Sequence, residues 1–209
     1  MGSNNPLEPM DTSEKQGEPA DNPLLLDFFG IEDRAHADCQ EKIARGQVES
    51  MKLPAGWVSG AEKLRDEAIY SYKEYHPADH PDTMICFFYR GRRAGQESSQ
   101  NFRDILAKPP HVLTASESES IGQILRDKRD PKDFKMTSCR TQDVNGKRVL
   151  VVEGRYNAVH EDALAMFVDA DNSSYGSAVQ EIYFQAPPAN FHHYLKAVKD
   201  SFKSIEWNK

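Results

Sequence analysis

Residues 134–156 read FKMTSCRTQDVNGKRVLVVEGRY, two β-rich runs joined by Asn145-Gly146. A two-residue type I′ turn needs positive φ at both central positions, which Asn and Gly adopt at least cost. The dipeptide therefore predicts a tight hairpin from Phe134–Val144 to Lys147–Tyr156. On its C-terminal side, Ala163 to Ala170 and Val179 to Ala186 are two further β-rich runs, with the polar stretch Asp171 to Ser177 as their loop. A four-strand antiparallel meander follows. Pro187-Pro188 ends the last strand, and Phe191, Tyr194, Leu195, Val198 and Phe202 then recur at helical spacing. They form the stripe of an amphipathic helix laid on one sheet face. Ile205 and Trp207 continue the apolar pattern and predict a docked C-terminal segment.

On the N-terminal side the domain is expected to open at Leu53-Pro54-Ala55-Gly56-Trp57, an extended lead-in anchored by an aromatic. Ala68 to Tyr75 and Met84 to Tyr89 read as strands, the second buried on both faces. A helix over Asn101 to Ala107 stops at Pro109-Pro110. Ser116 with Glu119 reads as a capping box ahead of Ile121, Ile124 and Leu125. The fold class is α+β: an antiparallel sheet meander with helices packed on it as an α/β/α sandwich, the C-terminal helix on one sheet face.

Met1 to Ser50 carries eleven Asp and Glu against four Lys and Arg, which is the whole net charge of −7; the remainder balances 22 acids against 22 bases. Nucleic-acid affinity comes chiefly from Lys and Arg neutralising phosphates, so a balanced domain behind an acidic tail argues against that class of partner. Residues 1–50 are expected to be a largely disordered tail and 51–209 a single domain, because the Pro, Glu, Asp and Ser of the tail cannot offset ordering entropy by burial. A helix is expected from Glu32 to Arg45, closed by Gly46. No apolar run approaches the length that spans a bilayer, and there is no basic-then-apolar leader, so neither membrane nor secretion is indicated. Three cysteines without metal-site spacing, Cys39, Cys86 and Cys139, predict reduced thiols and a cytoplasmic setting, with a Cys86–Cys139 bridge as the alternative.

This order of elements resembles the superfamily that holds the extrinsic photosystem II subunit PsbP, the yeast Ran-release import factor and the bacterial DcrB-like proteins. The matching features are the LPAGW lead-in, the early strands, the short helical middle, the meander around DVNGKRVLVVEGRY at 143–156 and the final YLKAVKDSFKSIEW at 194–207. The resemblance spans Leu53 to Trp207 and is one of layout. It implies an α/β/α sandwich that binds other proteins, and it transfers no functional residue. The acidic tail and the apolar cluster within it depart from the pattern.

Several constellations bear on chemistry. Leu24, Leu25, Leu26, Phe28 and Phe29 crowd five large apolar side chains into six positions of a polar tail. Burial would stabilise each by about 1.5–3 kcal/mol, so the segment at 24–31 either folds back on its own domain or docks in a partner's groove. His76, Asp79, His80 and Asp82 would be the ligands of a metal-dependent hydrolase; a solvated turn is the plainer reading, because two prolines in a loop do not hold ligands as a helix does. His192-His193 reads as surface. Arg90, Arg92 and Arg93, beside two glycines, would grip a small anion; edge-protecting charge explains them equally. Glu153 and Asp169 would meet across the sheet for acid–base work only if register brings them together. Without a GxSxG turn, and with Cys86 and Cys139 in strand patterns, no catalytic residue, metal or cofactor is assigned. The functional expectation is a non-catalytic protein-interaction module (adaptor, chaperone or assembly factor), with the hydrolase and the anion binder as alternatives.

Overall fold

Asn145 and Gly146 take φ of 44° and 79° and close the expected hairpin with Val144 opposite Lys147. The computed structural model describes residues 40–65, 70–173 and 176–208. The segments expected as the tail up to residue 39, with Leu24–Phe29, lie outside them. In chain order the strands are β1 (Gln40–Arg45), β2 (Val48–Lys52), β3 (Trp57–Arg65), β4 (Tyr70–Pro77) and β5 (Met84–Arg93). Helices α1 (Gln96–Ala107), α2 (Ala115–Ser120) and α3 (Gly122–Leu125) and a 3-10 turn (Arg126–Lys128) come next. Strands β6 (Phe134–Val144), β7 (Lys147–Tyr156), β8 (Glu161–Ser173) and β9 (Gly176–Ala186), helix α4 (Pro188–Lys203) and β10 (Glu206–Trp207) complete it.

Seven strands form one antiparallel sheet in the order β3-β4-β5-β9-β8-β7-β6. Its C-terminal four are the predicted meander. Ladder pairing runs on through Asp171↔Ala178 and Ser173↔Gly176, so most of the stretch expected as a loop is strand. The helical segment between β5 and β6 crosses from the middle of the sheet to its far edge, and this crossing clothes one face. There Phe102, Ile105, Ile121, Ile124 and Leu125 pack on Leu150, Val152, Ala165 and Phe167.

The opposite face is covered by α4 and by a second sheet of order β1-β2-β10. Phe191, Val198 and Phe202 are buried against Val151, Met166, Ile182 and Phe184, as the helical stripe predicts, with Tyr194 and Leu195 packed at its border. Phe191 stacks on Phe184 at 5.0 Å, and Trp57 meets Tyr194 edge-on at 5.6 Å. The meander strands, the sheet-facing helix and the anchoring Trp57 are thus placed as the sequence predicts.

Two local expectations are overturned and one strand goes unpredicted. The helix predicted across 32–45 is, over residues 40–45, strand β1, and Gly46 at φ 57° makes a hairpin turn instead of a C-cap. Pairing of residues 40–45 with β2, as Glu41 with Met51 and Lys42 with Ser50, and burial of Ile43, Val48 and Met51 outweigh a weak local helix preference. The extended lead-in continues from Trp57 as β3, which the sequence reading passed over. The capping box is Thr114 with Glu117, not Ser116 with Glu119: Glu117 N–H donates to Thr114 Oγ1 at 3.2 Å, and Thr114 N–H to Glu117 Oε2 at 2.9 Å. Leu113 N–H donates to the Cys139 carbonyl, so the chain stays extended up to Leu113 and the helix starts immediately after. Cys86 and Cys139 are free and buried, on β5 and β6, far apart in strand order. Among the described residues no helix is long and apolar enough to cross a membrane.

Candidate functional site

The crossing helices leave part of their sheet face uncovered over β4, β5 and β9. Strand alternation brings Tyr72, Cys86, Phe88, Glu181, Tyr183 and Gln185 to that face, with Tyr72 opposite Phe88, Phe88 opposite Glu181, and Cys86 opposite Tyr183. The 3-10 turn forms one wall and Tyr156 and Val159 another, bordering an open-mouthed cavity of about 620 Å³. Val159 is 56% exposed, one of two large hydrophobic residues exposed among those described.

Lys128 is the centre of this wall. It is 2% exposed, and its Nζ donates to Glu181 Oε1 at 2.5 Å, with Asp127 Oδ1 at 3.6 Å. Four rings surround the ammonium, with centroids at 5.3 Å (Tyr156), 5.6 Å (Phe167), 5.9 Å (Phe134) and 5.9 Å (Tyr183). Removing two charges from water is costly. The carboxylate and the ring quadrupoles offset that cost together. The turn that carries Lys128 begins at Arg126 with φ 51°, a left-handed value that a non-glycine residue adopts only where surrounding structure holds it.

The tyrosine hydroxyls are hydrogen-bonded to side chains of the domain. Tyr156 Oη donates to Asp127 Oδ2 at 2.8 Å. Tyr72 donates to Glu74. Burial raises the Cys86 thiol to about 12, against the opposing pull of its hydrogen bond with Tyr183. Burial likewise raises the Tyr183 and Tyr72 hydroxyls, with the thiol and Glu74 as the next causes respectively. At neutral pH none of the three is an anion, so this face offers no thiolate or phenolate nucleophile. It presents aromatic surface beside a neutralised ion pair.

The residues singled out from sequence fall elsewhere. Arg90, Arg92 and Arg93 close the backbone of β5, where Arg93 pairs with Ala178; their side chains lie outside the described residues, as do Leu24, Leu25, Leu26, Phe28 and Phe29. His76 is at the end of β4 with Nδ1 2.9 Å from its neighbour's carbonyl at Pro77. His80 Nε2 is 3.7 Å from Asp79 Oδ2, and Asp82 accepts from Thr83 Oγ1 at 3.2 Å. Among the described residues no group of three His, Cys, Asp or Glu could hold a metal ion. His192 and His193 are exposed on α4. Register sets Glu153 opposite Leu164 and Asp169 opposite Val179, so the two carboxylates do not meet; Glu153 accepts from Arg140 at 2.7 Å instead.

Sequence reasoning missed Lys128, Glu181, Tyr72 and Tyr183 as a group. One signal was present: in Val179-Gln180-Glu181-Ile182-Tyr183-Phe184, alternation puts Glu181 and Tyr183 on the face opposite Ile182 and Phe184, and a carboxylate on an inward face needs a cation. Compared with models of protein families, with curated proteins and with solved structures, the chain matches none.

Proposed function

We propose that the domain is a non-catalytic protein-interaction module whose uncovered face over β4, β5 and β9 receives a protein partner. The observation that carries the reading is the aromatic cavity of about 620 Å³ lined by Tyr72, Phe88, Tyr156 and Tyr183, with Arg126 and Val159 at its border. Tyr and Arg dominate the energetic centres of protein interfaces, because rigid rings and a planar guanidinium gain contact area at little entropic cost. Arg126 and Lys128 balance Asp127 and Glu181 in the lining, so no net local charge recruits a polyanion. The layout resemblance to the PsbP superfamily, whose shared theme is protein binding, points the same way.

Affinity capture with three variants tests this. Tyr156→Ala with Val159→Asp should lose the captured partner, whereas Lys196→Glu on exposed α4 surface should retain it. Leu25→Asp with Phe28→Asp reports separately on the tail segment. The same proteins recovered by wild type and by the Tyr156/Val159 variant, with all melting cooperatively, would remove the sheet face from the reading.

A further inference from the structure

A second cavity, of about 120 Å³, lies on the other sheet face between α4 and strands β6 to β8. Its interior is Val144, Val151, Leu164, Met166 and Phe202, none more than 6% exposed. Its border carries Arg140, Lys199 and Lys203, and no carboxylate belongs to the lining. Glu153 stands within 2.7 Å of Arg140 and 3.7 Å of Lys199, and Asp200 within 3.2 Å of Lys203. Three cations thus face two carboxylates, and one positive charge is left at the mouth of an apolar hole.

An apolar cavity of about 150 Å³ admits benzene, so one of this size takes a tail of roughly four to six carbons. A purely apolar guest would leave the border charge unused, and a cationic guest would be repelled by it. We propose that this cavity binds a short-chain aliphatic carboxylate, tail among Val151, Leu164 and Met166 and carboxylate at Arg140, Lys199 and Lys203. The site is on the face opposite the aromatic cavity and stands independently of the partner-binding reading.

Methyl NMR titration of the full chain with sodium hexanoate, hexanol and hexylamine at constant ionic strength tests it. Hexanoate should saturably shift the Val151, Leu164 and Met166 methyls, and lengthening butanoate to hexanoate should tighten binding about fourfold per methylene. Hexanol and hexylamine should bind at least about tenfold more weakly. Lys199→Gln with Lys203→Gln should bring hexanoate to the level of hexanol. Leu164→Phe should fill the cavity and abolish the shifts, with Val151→Ile as the milder filling variant if Leu164→Phe does not fold. Hexanol matching hexanoate, shifts scattered away from these methyls, no saturation below about 50 mM, or undiminished affinity in the lysine double variant would each overturn the proposal.

Discussion

Lys128 and Glu181, 53 residues apart in the chain, form a buried ion pair at 2.5 Å inside a ring of four aromatic side chains. The pair joins the crossing segment to the centre of the large sheet, and its energetics are asymmetric. Lys128→Met leaves a buried carboxylate without its cation and should cost about 3–5 kcal/mol. Replacing both residues, as in Lys128→Met with Glu181→Met, should cost less than that single change. Urea denaturation of the four proteins of this cycle measures it; a double variant as unstable as the sum of the two singles would refute a coupled pair.

The cage around Lys128 has a second consequence. In Lys128→Ala the four rings and Glu181 surround a cation-sized void, so butylammonium should raise the melting temperature of that variant and leave wild type unchanged. Butanol, which shares the tail and lacks the charge, should be without effect.

Alkaline pH should destabilise the domain through its buried thiols. Burial raises Cys86 to about 12 and Cys139 to about 11, above the ordinary 9.0 of an exposed cysteine. A group raised on folding holds its proton better in the native state. Its contribution is therefore complete below pH 9.0 and is lost as pH climbs toward 12. Between pH 8 and 11 the unfolding free energy from urea melts should fall, by about 2–3 kcal/mol from Cys86 alone, and Cys86→Ala should flatten that slope. In a Cys39→Ser background at neutral pH, neither remaining thiol should react with a disulfide reagent until the protein is unfolded.

Thr114 and Ser116 can be told apart by substitution. Thr114→Ala removes the hydroxyl that accepts from Glu117 N–H and should cost about 1 kcal/mol. Ser116→Ala should stay within about 0.5 kcal/mol of wild type. Equal losses would contradict the observed cap.

Gly146 sits at φ 79°, so Gly146→Val should cost about 1–3 kcal/mol by forcing a β-branched residue into the left-handed region. Stopped-flow refolding would show whether the loss falls on the folding rate, as it should if the β6–β7 hairpin forms early.

The features legible in the sequence are those with a short period. Alternation gave away β6 to β9, Asn145-Gly146 their first turn, and a helical stripe the seating of Phe191, Val198 and Phe202. Strand β2 was hidden because its second partner, Glu206 and Trp207, lies in no local window, and β1 is held as a strand only by β2. The Thr114 cap was misread by two residues because the strand-like bond from Leu113 to Cys139 sets where the helix starts. The aromatic cavity was hidden for the same reason on a larger scale: Arg126 to Lys128 sit in a run of charges that reads as solvated surface, and only the crossing from β5 to β6 carries Lys128 to Glu181.

The seam between β2 and β10 makes the small sheet depend on residues far away in the sequence. Ser50 Oγ donates to Glu206 Oε2 at 2.6 Å, and the Trp207 indole donates to the Val144 carbonyl at 2.8 Å. The β1–β2 hairpin is local, but the strand that completes its sheet comes 156 residues later. Cutting the chain before Glu206 would leave β2 with an unpaired edge beside Ile43, Val48 and Met51, open to strand addition by a neighbouring chain.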